Sequence, residues 1–506
     1  MAETISNLLA SVHPDDAAVL ASGRRALTYA DLHDQIEQVT VCLRGHGIGR
    51  GDRVAFALPN GPELATTFLA VASFTTAAPL NPASSRQEFE FTLRELGIKA
   101  LLLPEGDARM LRDLAAFSGM AVLDVRVHPG TPAGRFELVS AQPGNRETHR
   151  AAEPGPNDIA LVLQTSGTTA RPKTVPLMQR HLASSAQHIR ATLGLGPADR
   201  CLNVMPLFHI HGIAACMLAS LSAGGSVFCA AGFNAFRFFA ELTESEATWY
   251  SAVPTVHQTV LTRAARNAER IAASRLRFIR SSSSALPPSV LLELESVFGV
   301  PVVEAYGMTE AAHQMASNPL PPGTRRLGTV GLAAGSDVAI MDPQGNLLPR
   351  GEIGEIVVRG ANIFSGYENR PEANAEAFVA GWFRTGDQGV IDDDGYIAIT
   401  GRLKEIINRG GEKISPREID EVLLEHAAVQ QAVAFAIPHA VLGEEVGVAV
   451  VLKEDAHVTE RELLAFVAGR LAAFKVPSTV RLVEELPRGA TGKVQRLHMA
   501  RQLGLV

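Results

Sequence analysis

Gln164-Thr165-Ser166-Gly167-Thr168-Thr169-Ala170-Arg171-Pro172-Lys173 follows a short apolar run, Ile159 to Leu163, that reads as a buried strand. The loop after it offers one glycine, four small hydroxyl residues and then a lysine. Backbone amides and hydroxyls of this kind satisfy phosphate oxygens, and the lysine offsets their charge. The stretch is not G-x-x-x-x-G-K-[ST], because its lysine does not open a helix after a second glycine. A Ser/Thr/Gly-rich surface turn is the competing reading of these residues by themselves.

Outward from this loop the chain alternates helical and strand patterns. On the N-terminal side, Tyr29 to Leu43 has helical spacing behind Thr28 as N-cap, and Arg53 to Leu58 reads as a strand. Glu63 to Ala72 is helical again, Ala77 to Leu80 is the next strand, and Val127 to Asp158 reads as an irregular surface connection. On the C-terminal side, Leu177 to Leu193 and Pro287 to Phe298 read as helices. Ala247 to Val253, Arg277 to Ser281 and Val300 to Glu304 read as strands. Such βα alternation implies a largely parallel sheet. From Gly328 to Ile399 short strands separated by tight turns predict a small antiparallel barrel or sheet. Beyond Lys404 the helices Pro416 to His426 and Thr459 to Ala473 alternate with strands at 431–438 and 446–453. The expected fold class is therefore α/β. A large N-terminal domain of βα-layered sheets plus a small antiparallel barrel, residues 1–402, precedes a small mobile α+β C-terminal domain, residues 403–506.

With 506 residues the chain exceeds one ordinary core, and its 46% hydrophobic and 20% charged content fits a globular protein. A net charge of −7 without a long basic block argues against a nucleic-acid or membrane partner. Cys42, Cys201, Cys216 and Cys229 show no C-x-x-C spacing and read as reduced thiols. From Cys201 to Phe236 no charged side chain occurs, but Pro206, His209, His211 and the turn at 223–226 break the run, which predicts a buried helix followed by a buried strand. No secretory signal or peroxisomal Ser-Lys-Leu address is read at the ends, so a cytoplasmic protein is expected. Monomer and homodimer both stay open.

Five further stretches carry chemistry: Pro206-Leu207-Phe208-His209-Ile210-His211-Gly212, Glu304-Ala305-Tyr306-Gly307-Met308-Thr309-Glu310, Trp382-Phe383-Arg384-Thr385-Gly386-Asp387, the run from Gly401 through Gly410-Gly411 to Ile414, and Pro487-Arg488-Gly489-Ala490-Thr491-Gly492-Lys493. With the phosphate-type loop, and in this order, they resemble the adenylate-forming superfamily of acyl-CoA synthetases, luciferases and adenylation domains. The resemblance covers nearly the whole chain. It implies ATP, Mg²⁺ and CoA as cofactors and co-substrates, with an acyl-adenylate formed first and a thioester second.

The resemblance also implies roles. Thr165, Ser166, Gly167, Thr168, Thr169 and Lys173 would hold the triphosphate, and Ser284, Ala285, Glu304, Tyr306, Asp387 and Arg402 would complete the ATP site. Glu310 suits Mg²⁺, which takes few carboxylates plus phosphate oxygens, and Thr309 would donate to a phosphate. Lys493 is the implied catalytic cation, entering to neutralise charge between carboxylate and α-phosphate. His209 is implied on both the catalytic and the acid-binding side. A rotation about Lys404 would then exchange Lys493 for Gly410 and Gly411 and open the way for CoA. Ala170 and Thr174 stand where the family usually has glycine, and either could slow adenylation.

Arg280-Ser281-Ser282-Ser283-Ser284-Ala285-Leu286 and Met308 to Pro321 look like the oxalyl-CoA synthetase branch. Hydroxyls and an imidazole at Ser283, Ser284 and His313 suit a tiny dianion whose distal carboxylate needs donors once desolvated. The plain alternative is that the serines cap the following helix and His313 packs on its strand. Other acids, a carrier protein as acceptor, or a non-catalytic nucleotide-binding relative are the competing functions.

Overall fold

This computed structural model describes residues 3–10, 12–106, 108–140, 153–165, 172–487 and 494–506. Its largest sheet has nine strands. Six of them run parallel, in the spatial order Val302–Met308, Phe278–Ser282, Trp249–Ala252, Arg200–Asn203, Ser226–Cys229 and Ala17–Leu20. Antiparallel partners close the edges: His313–Ser317 and Leu332–Ala333 on one side, Leu27–Thr28 on the other. The central strands are buried along their whole length, the pattern of a sheet covered on both faces. Between them run helices such as Pro288–Phe298, which has proline at its first turn and Gly299 in the left-handed region at its end.

A second sheet of seven strands holds Arg53–Phe56, Thr76–Pro79 and Ile159–Thr165. Thr28 caps Tyr29–Gly45 in a reciprocal capping box with Asp31, as the sequence led one to expect. Two expectations need correction. Lys173–Met178 is an antiparallel edge strand paired with Ile159–Thr165, so the helix begins at Gln179 rather than Leu177. An edge position tolerates Pro176, which lacks the N–H a central strand would need. The connection from Val127 to Asp158 is not wholly irregular: Glu137–Val139 pairs with Ala121–Arg126, and Phe136 is buried.

The antiparallel portion is a half-barrel of six strands, in which Trp382–Ile391 pairs with Gly354–Arg359 on one side and Ile397–Arg402 on the other. A five-stranded sheet follows, with Val429–His439 and Gly443–Leu452 as its long hairpin and helices Pro416–Leu424 and Glu460–Ala468 packed against it. Its apolar core, from Ile407 to Leu505, draws only on this part of the chain. Arg417 Nη1 reaches back to the Ile399 carbonyl at 2.6 Å. Among the described residues no helix is long and apolar enough to cross a membrane.

Candidate active site

Strand Val302–Met308 and its antiparallel neighbour His313–Ser317 organise the site. A tight turn, Thr309–Ala311, joins them and carries Thr309 and Glu310. Glu310 is buried, and burial pushes its carboxyl above the usual range while the Tyr367 hydroxyl, Arg402 and Lys173 pull it back. Tyr367 donates to Glu310 Oε1 at 2.9 Å. Lys173 Nζ lies 4.4 Å from the centre of the Tyr367 ring, a cation–π contact. Thr165 and Lys173, which flank the phosphate-type loop, are paired across antiparallel strands. Ser166, Gly167, Thr168, Thr169 and Ala170 themselves lie outside the described residues, as does Lys493.

Asp387 accepts from Tyr306 Oη at 2.5 Å and from Arg402 Nε at 2.8 Å. The second contact is a cross-strand pair, since Asp387 and Arg402 are directly opposed in the half-barrel. Glu304, two residues before Tyr306, accepts at Oε1 the N–H of Leu286, in the loop that follows the neighbouring strand Phe278–Ser282, at 3.3 Å. Burial raises its carboxyl to about 7. Ser284 and Ala285 are exposed at the mouth of the adjoining loop. Lys404, Gly410 and Gly411 are exposed as well, and both glycines have positive φ, 61° and 101°.

Around the residues expected to bind the acid, Ser283 and His313, the structure assembles a hydrogen-bonded group centred on Arg280. This side chain is 0% exposed. Its Nη1 donates to Ser251 Oγ at 3.2 Å, and its Nη2 donates to Gln314 Oε1 at 3.2 Å and reaches His313 Nδ1 at 3.5 Å. Ser251 Oγ in turn lies 2.7 Å from His211 Nε2, and His211 Nδ1 lies 3.0 Å from Ser283 Oγ. The His211 and His313 rings are 5.1 Å apart. Ser283 and His313 are held at φ 72° and 107°, a region uncommon for residues with a side chain, and such outliers gather at functional sites. Gly307 makes room for this: a Cβ there would sit 1.9 Å from the His313 carbonyl oxygen.

Ser283 and His313 are thus brought into one group, while Ser284 is not. His209 is half-buried with its ring against Phe208, and it is His211 that meets the serine run. A π-helical stretch, His211–Leu218, begins at that residue, a backbone form frequent at functional sites. Sequence reasoning did not single out Arg280, His211, Ser251, Gln314 or Tyr367. Arg280 did leave a signal: a full charge in the middle of the apolar strand Phe278-Ile279-Arg280. Tyr367 and Ser251 left none, because their roles depend on partners far away in the chain.

Among the described residues no group of three or more His, Cys, Asp or Glu side chains could hold a metal alone. A single buried carboxylate, Glu310, beside a lysine fits Mg²⁺ bound mainly through phosphate oxygens.

The family model for AMP-binding enzymes matches residues 9–368, and that for the AMP-binding enzyme C-terminal domain matches 418–493. An oxalate–CoA ligase of Arabidopsis thaliana is 45% identical, over 98% of this chain and 97% of that one. A sulfoacetate–CoA ligase of Cupriavidus necator is 37% identical, over 96% and 94%. The crystal structure of ATP-bound MatB from Rhodopseudomonas palustris superposes with a TM-score of 0.88 at 31% identity, over 98% and 97%. The chain belongs to the AMP-binding enzyme family. Within that family it is an AMP-forming CoA ligase, an enzyme that joins a small carboxylic acid to CoA with ATP and Mg²⁺.

Proposed function

We propose that the acid is oxalate and that the protein converts oxalate, ATP and CoA to oxalyl-CoA, AMP and pyrophosphate. The observation that carries this reading is the make-up of the acid side. Ser283, His211 and His313 supply hydrogen-bonding groups around a buried guanidinium, and Arg280 forms no ion pair with Asp or Glu among the described residues. A desolvated cation without a counter-ion is costly, and a second carboxylate on the substrate would offset it. The oxalate–CoA and sulfoacetate–CoA ligases among the relatives, whose acids both carry a second anionic group, support the same class.

In this reading one carboxylate oxygen attacks the α-phosphorus, the bond to the bridging oxygen breaks, and pyrophosphate leaves. The CoA sulfur then attacks the acyl carbon, loses its proton, and AMP departs with the bonding pair. Thr165 to Thr169, Lys173 and Thr309 hold the triphosphate, and Ser284, Ala285, Glu304 and Tyr306 surround the nucleoside. Asp387, fixed by Tyr306 and Arg402, accepts the ribose hydroxyls. Glu310 would hold Mg²⁺, which supplies charge neutralisation on the departing pyrophosphate. His209 stays a candidate on the acid side.

We further propose that residues 1–402 and 403–506 are the two moving parts and that Lys404 is the pivot. One arrangement presents Lys493 for adenylation, and the other presents Gly410 and Gly411 to CoA. The four free cysteines fit a reducing, cytoplasmic setting. A panel of oxalate, malonate, acetate, butyrate, hexanoate and cinnamate, scored by acyl-CoA mass, tests the substrate. Oxalyl-CoA is the expected main product, and better use of hexanoate or cinnamate would overturn oxalate while leaving the CoA ligase class.

A further inference from the structure

The hydrogen bonds around Arg280 have a direction, because a guanidinium has only donors. At Ser251 it must donate, so the serine oxygen spends one lone pair on the cation. The Ser251 hydroxyl is fully buried and has just one other partner among the described residues, His211 Nε2 at 2.7 Å. If that nitrogen carried the ring proton, the serine's own hydrogen would be left buried without an acceptor, which costs more than an ordinary bond gains. Ser251 therefore donates to Nε2, the proton of His211 sits on Nδ1, and Nδ1–H donates to Ser283 Oγ. The Ser283 hydrogen is then turned onward.

The second arm works in the same way. Arg280 Nη2 faces His313 Nδ1, which must accept, so the His313 proton sits on Nε2, the nitrogen turned away from the cation. Gln314 fixes the fork from behind: its Oε1 accepts from Arg280 and its Nε2 donates to Thr192 Oγ1 at 3.1 Å. One buried cation thus orders two neutral imidazoles.

We propose that Arg280 is a positioning residue that sets the tautomers of His211 and His313. Ser283 and His313 then both present donors, which makes this end of the pocket selective for acids bearing a second anionic group, carboxylate or sulfonate. The inference rests on the reading of this pocket as the acid's site. It also explains why a histidine pair needs no protonation to receive an anion: the charge comes from Arg280, lowered by burial only to about 10 and still protonated at neutral pH.

The test uses full-length protein labelled with ¹⁵N-histidine, with His211→Asn and His313→Asn variants assigning the signals. Long-range ¹H–¹⁵N spectra of the ligand-free wild type are expected to show His211 protonated on Nδ1 and His313 on Nε2. The opposite tautomer at either residue overturns the proposal, and this readout needs no Arg280 variant to fold. Arg280→Met is expected to mix both tautomers and to raise the oxalate KM about 10- to 100-fold, with the ATP and acetate KM unmoved. Arg280→Lys keeps the charge without the fork, so the tautomers are expected to stay mixed and the oxalate KM high. Full recovery of the oxalate KM in Arg280→Lys with mixed tautomers would overturn positioning in favour of charge alone. A wild-type enzyme with the expected tautomers that uses acetate as well as oxalate would instead overturn the oxalate reading and leave the relay standing.

Discussion

In the proposed function the site has two halves that meet at Val302–Met308 and His313–Ser317, and their charge design is opposite. On the nucleotide half three buried carboxylates, Glu304, Glu310 and Asp387, each receive at least one donor. On the acid half there is a buried guanidinium, two imidazoles and hydroxyls, with no carboxylate in the hydrogen-bonded group. Val302–Met308 and His313–Ser317 feed both halves, with Met308 opposite His313. A buried charge whose protein partners do not balance it marks the sign of what comes to it. In the proposed function Glu310 would meet a metal cation, Asp387, already paired with Arg402, would meet ribose hydroxyls, and the Arg280 group would meet an anion.

The strongest attempt to break this contrast is Lys493→Ala. If Lys493 serves the nucleotide half, its loss should lower adenylation of every acid alike. Losing one positioned charge in a closed site costs about 3–4 kcal/mol, a factor of hundreds to a thousand. Pyrophosphate release from acid and ATP measures the first step, and thioester formation from preformed acyl-adenylate measures the second, which should stay comparatively intact. A loss confined to oxalate would assign the lysine to the acid half. Equal loss in both steps would remove the argument for two alternating arrangements.

Much of this contrast was legible before any coordinates. The capping of Tyr29–Gly45 by Thr28 and the turn glycines are local signals, and they led to the right elements. Glu310, Tyr306 and Asp387 sit in short ordered motifs, and the fold brings Tyr306, Asp387 and Arg402 into one hydrogen-bonded set. The acid half was only partly legible. The fold does bring the expected pair His313 and Ser283 into one group, but Ser251 and His211 lie 32 and 72 positions before Ser283, and no motif announces Ser251. His209 drew attention over His211 although both share one motif, and it is the folded chain that shows the His211 ring against Ser283. Lys173–Met178 was misread at its end since an apolar run with proline, ahead of a helix, does not reveal that it lies on a sheet edge.

A second test sharpens the nucleotide half. Glu304 is raised by burial from 4.5 to about 7, with Glu421 adding to the rise and Leu286 N–H and Arg417 opposing it. The folded protein therefore binds this proton more tightly than the unfolded chain. Its contribution to stability is complete below pH 4.5 and is lost as pH climbs through about 7. Glu304→Gln keeps an oxygen for the Leu286 N–H and has no charge to desolvate. Denaturant unfolding from pH 4.5 to 8 should show wild type losing up to roughly 3 kcal/mol relative to the variant across that window. Parallel curves would mean that Glu304 is ionised at no cost, and the buried-carboxylate description of that half would fail.

The smallest expected effect is the most selective one. His313 lies three residues beyond Glu310, past a left-handed Ala312, so one turn carries both the proposed metal ligand and the imidazole that meets Arg280. Arg280 at its Nδ1 leaves the ring proton on Nε2 as a donor. His313→Ala keeps a Cβ and asks the same of the backbone, but it leaves a desolvated distal carboxylate one donor short. A missing partner for a buried charged group costs about 1–3 kcal/mol, so the oxalate KM should rise about ten-fold or more while the ATP KM stays close to wild type. Acetate, which has no second anion, should be affected far less. An oxalate-to-acetate preference unchanged in the folded His313→Ala protein would show that this ring only packs, and the acid half would then rest on Arg280, His211 and Ser283 alone.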